Sequence, residues 1–258
     1  MQPLNLALIQ SHTHWHDPAA NRTHFTTLLD QVHAQTDLVV LPEMFSTGFS
    51  MASTIIAESM QGETVSWMQA QAERIQVTLC GSLVIQDGAH YYNRLLWAEP
   101  DGSYQWYDKR HRFRMAGEHE HYSAGVDVIT PVLKGWRIRP LICYDLRFPV
   151  WLRNRDSYDV LVCVANWPSA RQLAWQTLLR ARAIENQAYA VGVNVIGQDG
   201  AGVNYAGGSA VYAPDGATVV ELNEHQSVTE VALSAQTLVE LRKSFPVWQD
   251  ADSFDMTE

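Results

Sequence analysis

Two hydrophobic periods alternate along the chain, and each switch between them predicts a change from strand to helix. "LNLALI" at 4–9 alternates with period two, as a strand does. Phe25, Leu28, Leu29 and Val32 recur at i, i+3, i+4 and i+7, one face of a helix. "DLVVLPE" at 37–43 is a continuous apolar run, rich in valine and too short for a helix, so it predicts a buried strand. Val65, Met68, Ala72 and Ile75 repeat the helical spacing, and "VTLCGSLVI" at 77–85 is the next strand.

The texture then changes. "YYNRLLWAE" and "SYQWYDK" flank Pro100-Asp101-Gly102, turn chemistry that predicts a hairpin. "VDVITPVL" (126–133) and "WRIRPLICY" (136–144) flank Lys134-Gly135 and predict a second. Past Cys143 the alternation resumes with strand "DVLVCVA", a helix through Trp175, Leu178 and Leu179, and strand "AYAVGVNVI". A last hairpin turns at Pro214-Asp215-Gly216, before "VTEVAL" and a short helix ending near Lys243. The glycines of "GQDGAGVNYAGG" are out of register for a dinucleotide fingerprint and read as a loop.

No linker, repeat or low-complexity segment interrupts this order. The expectation is one domain over residues 1–258, with 244–258 as a C-terminal tail. Hairpins with helices between them suggest an α/β fold in which two mixed sheets face each other and helices lie outside. Pro140 fits badly, because its missing N–H should weaken pairing or force a bulge.

Composition narrows the function. The net charge of −10 disfavours nucleic acid and anionic membranes as partners. Three scattered cysteines in apolar runs argue against a disulfide framework and for a reducing, cytoplasmic setting. The N-terminal apolar run is shorter than a signal peptide needs, and none approaches a membrane span.

Three predicted strands stop at ionisable groups: "LVVLPE" at Glu43, "SYQWYDK" at Lys109 and "LIC" at Cys143. In sheets covered by helices, strand ends are where side chains converge on a pocket. Each residue has a bland alternative: a buried small hydrophobe for Cys143, a surface charge for Lys109, a salt bridge for Glu43. Together they supply what amide hydrolysis needs. A thiol is mostly protonated at neutral pH and needs a base or a nearby cation, which Glu43 and Lys109 would provide. An ammonium group and the Tyr144 backbone N–H would hold the oxyanion.

"LPEMFSTGF", "YDKRHRF" and "ICYDLRFP" resemble the three motifs of the nitrilase superfamily. "VANWP", "RARAIENQAYAVGVN" and the tail "FPVWQDAD" extend the resemblance over nearly the whole chain, and the tail is similar to the omega-amidase branch. The resemblance implies a four-layer α-β-β-α sandwich, a homodimer or larger assembly, and a Glu43–Lys109–Cys143 catalytic set that needs no metal or other cofactor. It also implies a supporting glutamate, for which Glu118 matches better than Glu120, and hydrolysis of the terminal amide of short 2-oxo dicarboxylic acid monoamides such as 2-oxoglutaramate and 2-oxosuccinamate. Such a small-molecule substrate carries a far carboxylate, for which Arg147, Arg114 and Arg171 are candidate partners; Asn166 and Trp167 end the next strand and are candidate pocket residues. A nitrile or N-carbamoyl substrate would use the same three residues.

Two rivals come from other chemistry. His12, His14 and His16 share one face of an extended segment and could hold a metal for a metal-dependent hydrolase, with His119 and His121 adding two more imidazoles. His111, two residues beyond Lys109, could serve a Cys–His hydrolase as its base.

Overall fold

The computed structural model describes residues 1–155 and 157–254. One six-stranded sheet holds β1 (Leu4–Gln10), β2 (Leu38–Val40), β3 (Thr78–Asp87), β4 (His90–Ala98), β5 (Tyr104–Asp108) and, pairing with β1, the late strand β14 (Ser227–Leu233). The other holds β6 (Val132–Leu133), β7 (Trp136–Ile142), β8 (Val160–Ala165), β9 (Tyr189–Asn194), β12 (Ala210–Tyr212) and β13 (Thr218–Glu221). β10 (Ile196–Gln198) and β11 (Asn204–Ala206) form a separate small hairpin. The helices are α1 (Pro18–Leu29), α2 (Ser53–Ile56), α3 (Glu63–Ile75), α4 (Glu118–His121), α5 (Pro149–Leu152), α6 (Gln172–Asn186) and α7 (Ala235–Ser244). Among the described residues, none is long and apolar enough to cross a membrane.

The pleat of β1 shows how the layers stack. Leu4, Leu6 and Leu8 join Val40, Trp97, Trp136 and Val162 in a core between the sheets. The alternate residues Ala7 and Ile9 pack with Phe25 and Leu28 of α1 and with Val65 and Met68 of α3 on the outer face. On the second sheet Trp175 and Leu179 of α6 pack over Gly192, where a Cβ would lie 2.5 Å from Leu179 Cδ2. The result is a four-layer α-β-β-α sandwich.

Three local expectations need correction. The first arm of the second hairpin shrinks to Val132–Leu133, and Val126 and Val128 are exposed. Pro131 cannot donate to a ladder, and only its carbonyl pairs, with the Ile138 N–H. Pro140 causes no bulge, and β7 keeps an unbroken parallel register with β8 from Ile138 to Ile142. The Ile138 N–H points toward Pro131, so Pro140, two residues on, turns its missing donor to the same side, beyond the end of two-residue β6. The glycine-rich stretch after β9 is a hairpin, with Ile196 paired to Ala206.

Candidate active site

Glu43, Lys109 and Glu118 meet in the interior although they come from different elements. Glu43 lies just beyond β2 and is fully buried, with Met44 turned to φ 43°. Lys109 follows β5, and Glu118 opens α4. Lys109 Nζ donates to Glu43 Oε1 at 2.9 Å and to Glu118 Oε1 and Oε2 at 2.9 and 3.0 Å. Glu118 also accepts the Phe113 N–H. Gly125 closes this corner: its N–H reaches the Lys109 carbonyl at 3.0 Å, and a Cβ there would overlap the Asp108 carbonyl. Glu120 is exposed and, among the described residues, its carboxylate pairs only with His119, at 3.9 Å, so Glu118 is the glutamate of this cluster.

Glu43 is fixed on every side. Oε1 accepts from Asn93 Nδ2 at 2.8 Å as well as from Lys109, and Oε2 accepts the Asn166 N–H at 2.7 Å. Asn166 Nδ2 in turn donates to the Glu43 carbonyl at 2.6 Å. Ser82 links the strands beneath, donating to Asn93 Oδ1 and accepting the Met44 N–H. With two bonds on Oε1 and one on Oε2, Oε2 is the oxygen with acceptor capacity to spare.

Cys143 sits where β7 ends and the chain turns, at φ 44°, a conformation costly for any residue with a Cβ. Asp145 pins that turn. Its Oδ2 accepts from Ile142 N–H at 3.2 Å and Tyr107 Oη at 2.7 Å, and its Oδ1 accepts from the His111 N–H at 2.8 Å. His111 Nδ1 lies 2.8 Å from the same oxygen, and the ring stacks on Phe148. His111 is therefore part of the support under the turn and does not line the cavity beside Cys143.

That cavity, about 500 Å³, is lined by Cys143 and Lys109 and also by Tyr144, Arg147, Asn166 and Trp167. The Arg147 guanidinium lies 4.7 Å from the Trp167 ring centroid, and among the described residues no carboxylate pairs with it. Arg171 also lines the cavity, near Met115; Arg114 does not. Most of the remaining wall is apolar, including Phe49, Met51, Phe113 and Tyr205.

Burial and charge set the protonation states. Burial, reinforced by the Glu43 carboxylate, pushes the Cys143 thiol well above its ordinary range. Burial alone would pull Lys109 down, but Glu118 and Glu43 outweigh it and hold the ammonium charged. Burial raises Glu118, with the Lys109 charge opposing the shift. The resting site is thus a neutral thiol facing an ammonium held between carboxylates, able to pass a proton and to receive negative charge on a substrate oxygen.

The histidines divide differently from the pattern expected of an extended segment. His16 turns away at φ 55°, bonds the Ser50 hydroxyl at 2.7 Å and stacks on Trp15. His24, from α1, takes its place beside His12 and His14, and none of the four lines the cavity. Sequence reasoning missed Asn93, Ser82, Asp145 and Asn194, whose side chain brackets Trp167 through both its N–H and its carbonyl. Their one signal is a polar residue inside an apolar strand or turn, as in "YYNRLLW" and "VGVNVI".

Residues 5–243 match the family model for carbon-nitrogen hydrolase. The chain is 46% identical over 256 residues to the omega-amidase YafV of Escherichia coli K12, covering 98% of this chain and 99% of that one. It is 31% identical to the 2-oxoglutaramate amidase of Bacillus subtilis, covering 90% of this chain and 92% of the relative. A solved CN-hydrolase superfamily protein from Xanthomonas campestris, with an arsenic adduct in its active site, superposes with a TM-score of 0.98 at 47% identity over the full length of both chains. The Nit3 protein of Saccharomyces cerevisiae shares the fold, with a TM-score of 0.86 at 24% identity over 95% of each chain. The chain belongs to the carbon-nitrogen hydrolase family.

Proposed function

We propose that this chain is an omega-amidase that hydrolyses the terminal amide of short 2-oxo dicarboxylic acid monoamides, 2-oxoglutaramate and 2-oxosuccinamate among them. The chemistry rests on Lys109 held between Glu43 and Glu118 at the wall of the cavity that holds Cys143. The substrate class rests on likeness to the omega-amidase and 2-oxoglutaramate amidase, and on Arg147, a cation in the same cavity with no carboxylate partner among the described residues.

In this reading Cys143 Sγ attacks the amide carbon while Glu43 Oε2 takes the thiol proton, so no free thiolate has to form in a buried site. The carbonyl oxygen becomes an oxyanion held by Lys109 and by the Tyr144 N–H. Two of the three Lys109 contacts go to one carboxylate, so one N–H can serve both Glu118 oxygens and another can turn to the oxyanion. Collapse of the intermediate breaks the C–N bond, and Glu43 gives its proton to the departing ammonia. Water then enters, loses a proton to Glu43 and attacks the thioester; Cys143 leaves with that proton and the 2-oxo acid is released. Glu118 keeps Lys109 charged and in place throughout. The proposal includes a homodimer in the cytoplasm.

Ammonia release from 2-oxoglutaramate, glutamine and a simple nitrile tests the substrate assignment. Fast release from the oxo-amide with little from the other two supports it. Preference for the nitrile or for a neutral amide would move the chain to another branch of the family.

A further inference from the structure

The end of β1 and helix α1 bring three imidazoles together at a place the amide chemistry does not use. One ring nitrogen from each of His12, His14 and His24 lies within 4.8 Å of the others, and the ring centroids are 4.5, 5.2 and 5.6 Å apart. Behind them runs a fixed hydrogen-bond chain. Buried Ser11 donates its hydroxyl proton to Gln226 Oε1 at 2.9 Å, and Ser11 Oγ itself lies 2.7 Å from His24 Nε2. Ser11 has one proton and has used it, so it accepts from His24; the ring proton sits on Nε2, and Nδ1 keeps its lone pair. A neutral imidazole fixed through its other nitrogen is the arrangement that orients histidine toward a metal.

We propose that His12, His14 and His24 form a binding site for a divalent transition metal, with zinc as the test ion, linking the segment after β1 to α1 and lying apart from the Cys143 cavity. Three imidazole nitrogens with no thiolate suit borderline cations such as zinc, nickel and copper rather than calcium or magnesium. Tetrahedral zinc–nitrogen bonds of about 2.0–2.1 Å need the nitrogens about 3.3 Å apart. The rings must therefore close on the ion, a small adjustment for side chains at the surface. The open side leaves a coordination position for water.

Equilibrium dialysis of the full chain against zinc at neutral pH tests the site, on a Cys143→Ala background so that the thiol cannot compete for the metal. The expected result is one bound equivalent per chain. His24→Ala and His14→Ala should each weaken binding about tenfold or more, since even partners behind the ligands are worth that much. His16→Ala, whose ring is bonded to Ser50, should leave affinity unchanged. Zinc binding no greater than that of a chain with all three histidines changed to Ala would overturn the proposal, as would unaltered affinity in both single variants. If His24→Ala fails to fold, His14→Ala on the exposed segment decides alone.

Discussion

Replacing Asp145 by Asn probes how the protein pays for a thiol at a positive φ. The change is nearly isosteric, but one carboxylate oxygen becomes an NH2 group facing groups that donate. On one side stand the Ile142 N–H and the Tyr107 hydroxyl; on the other stands the His111 N–H, with His111 Nδ1 beside it. Hydrogen bonds to a charged acceptor contribute about 1.5–3 kcal/mol each, so losing an oxygen that serves two partners costs about 3–6 kcal/mol gross. The Tyr107 hydroxyl can rotate and recover part of this, leaving a net loss of about 2–4 kcal/mol. Cys143 would also lose support for a backbone conformation that costs about 1–2 kcal/mol. The turn should then relax, and a misplacement near 1 Å costs roughly 10²-fold in rate. Urea denaturation should show the stability loss, and ammonia release by the folded fraction should show a fall in kcat of that order. If Asp145→Asn unfolded at the wild-type midpoint and kept kcat within a factor of two, Asp145 would not be what holds the nucleophile turn.

Arg147→Ala should raise KM for 2-oxoglutaramate about 10- to 100-fold, the worth of one charge-assisted hydrogen bond, while leaving turnover of a neutral amide nearly unchanged. Because the Cys143 thiol is raised, its alkylation by iodoacetamide should be slower at pH 8 than that of a free thiol and should keep rising at higher pH. Glu118 contributes to that elevation, so Glu118→Gln should speed alkylation while slowing ammonia release; a change of both rates in the same direction would contradict its place beside Lys109. Asn93→Ala removes one donor from buried Glu43 Oε1 and should cost about 1–3 kcal/mol of stability and roughly tenfold in kcat, measured by denaturation and steady-state kinetics.

The parts of the candidate site legible in the sequence were those where a predicted strand stops at an ionisable residue: Glu43, Lys109 and Cys143. A strand end needs no knowledge of its neighbours to be recognised. Asn93 was not legible, because a lone polar residue among apolar ones reads as a position facing solvent until its partners on other strands are known; Asp145 sits in a polar turn near Arg147, and only the fold shows that it bonds Tyr107 and His111 instead. The His12–His14–His16 pattern assumed a continuing strand. β1 stops at Gln10 and His16 turns to φ 55°, so a residue from α1 completes the group instead. Residues 126–131 carried strand-like valines, yet those side chains face solvent and Pro131 blocks the ladder; apolar spacing alone could not show that pairing with β7 ends there.

Rapid-quench mass spectrometry during turnover of 2-oxoglutaramate tests the central claim most directly. An acyl group with the mass of the substrate less ammonia should accumulate on the peptide carrying Cys143, and Cys143→Ala should show neither adduct nor ammonia release. Turnover retained by Cys143→Ala, or an adduct on another residue of the wild-type chain, would contradict it.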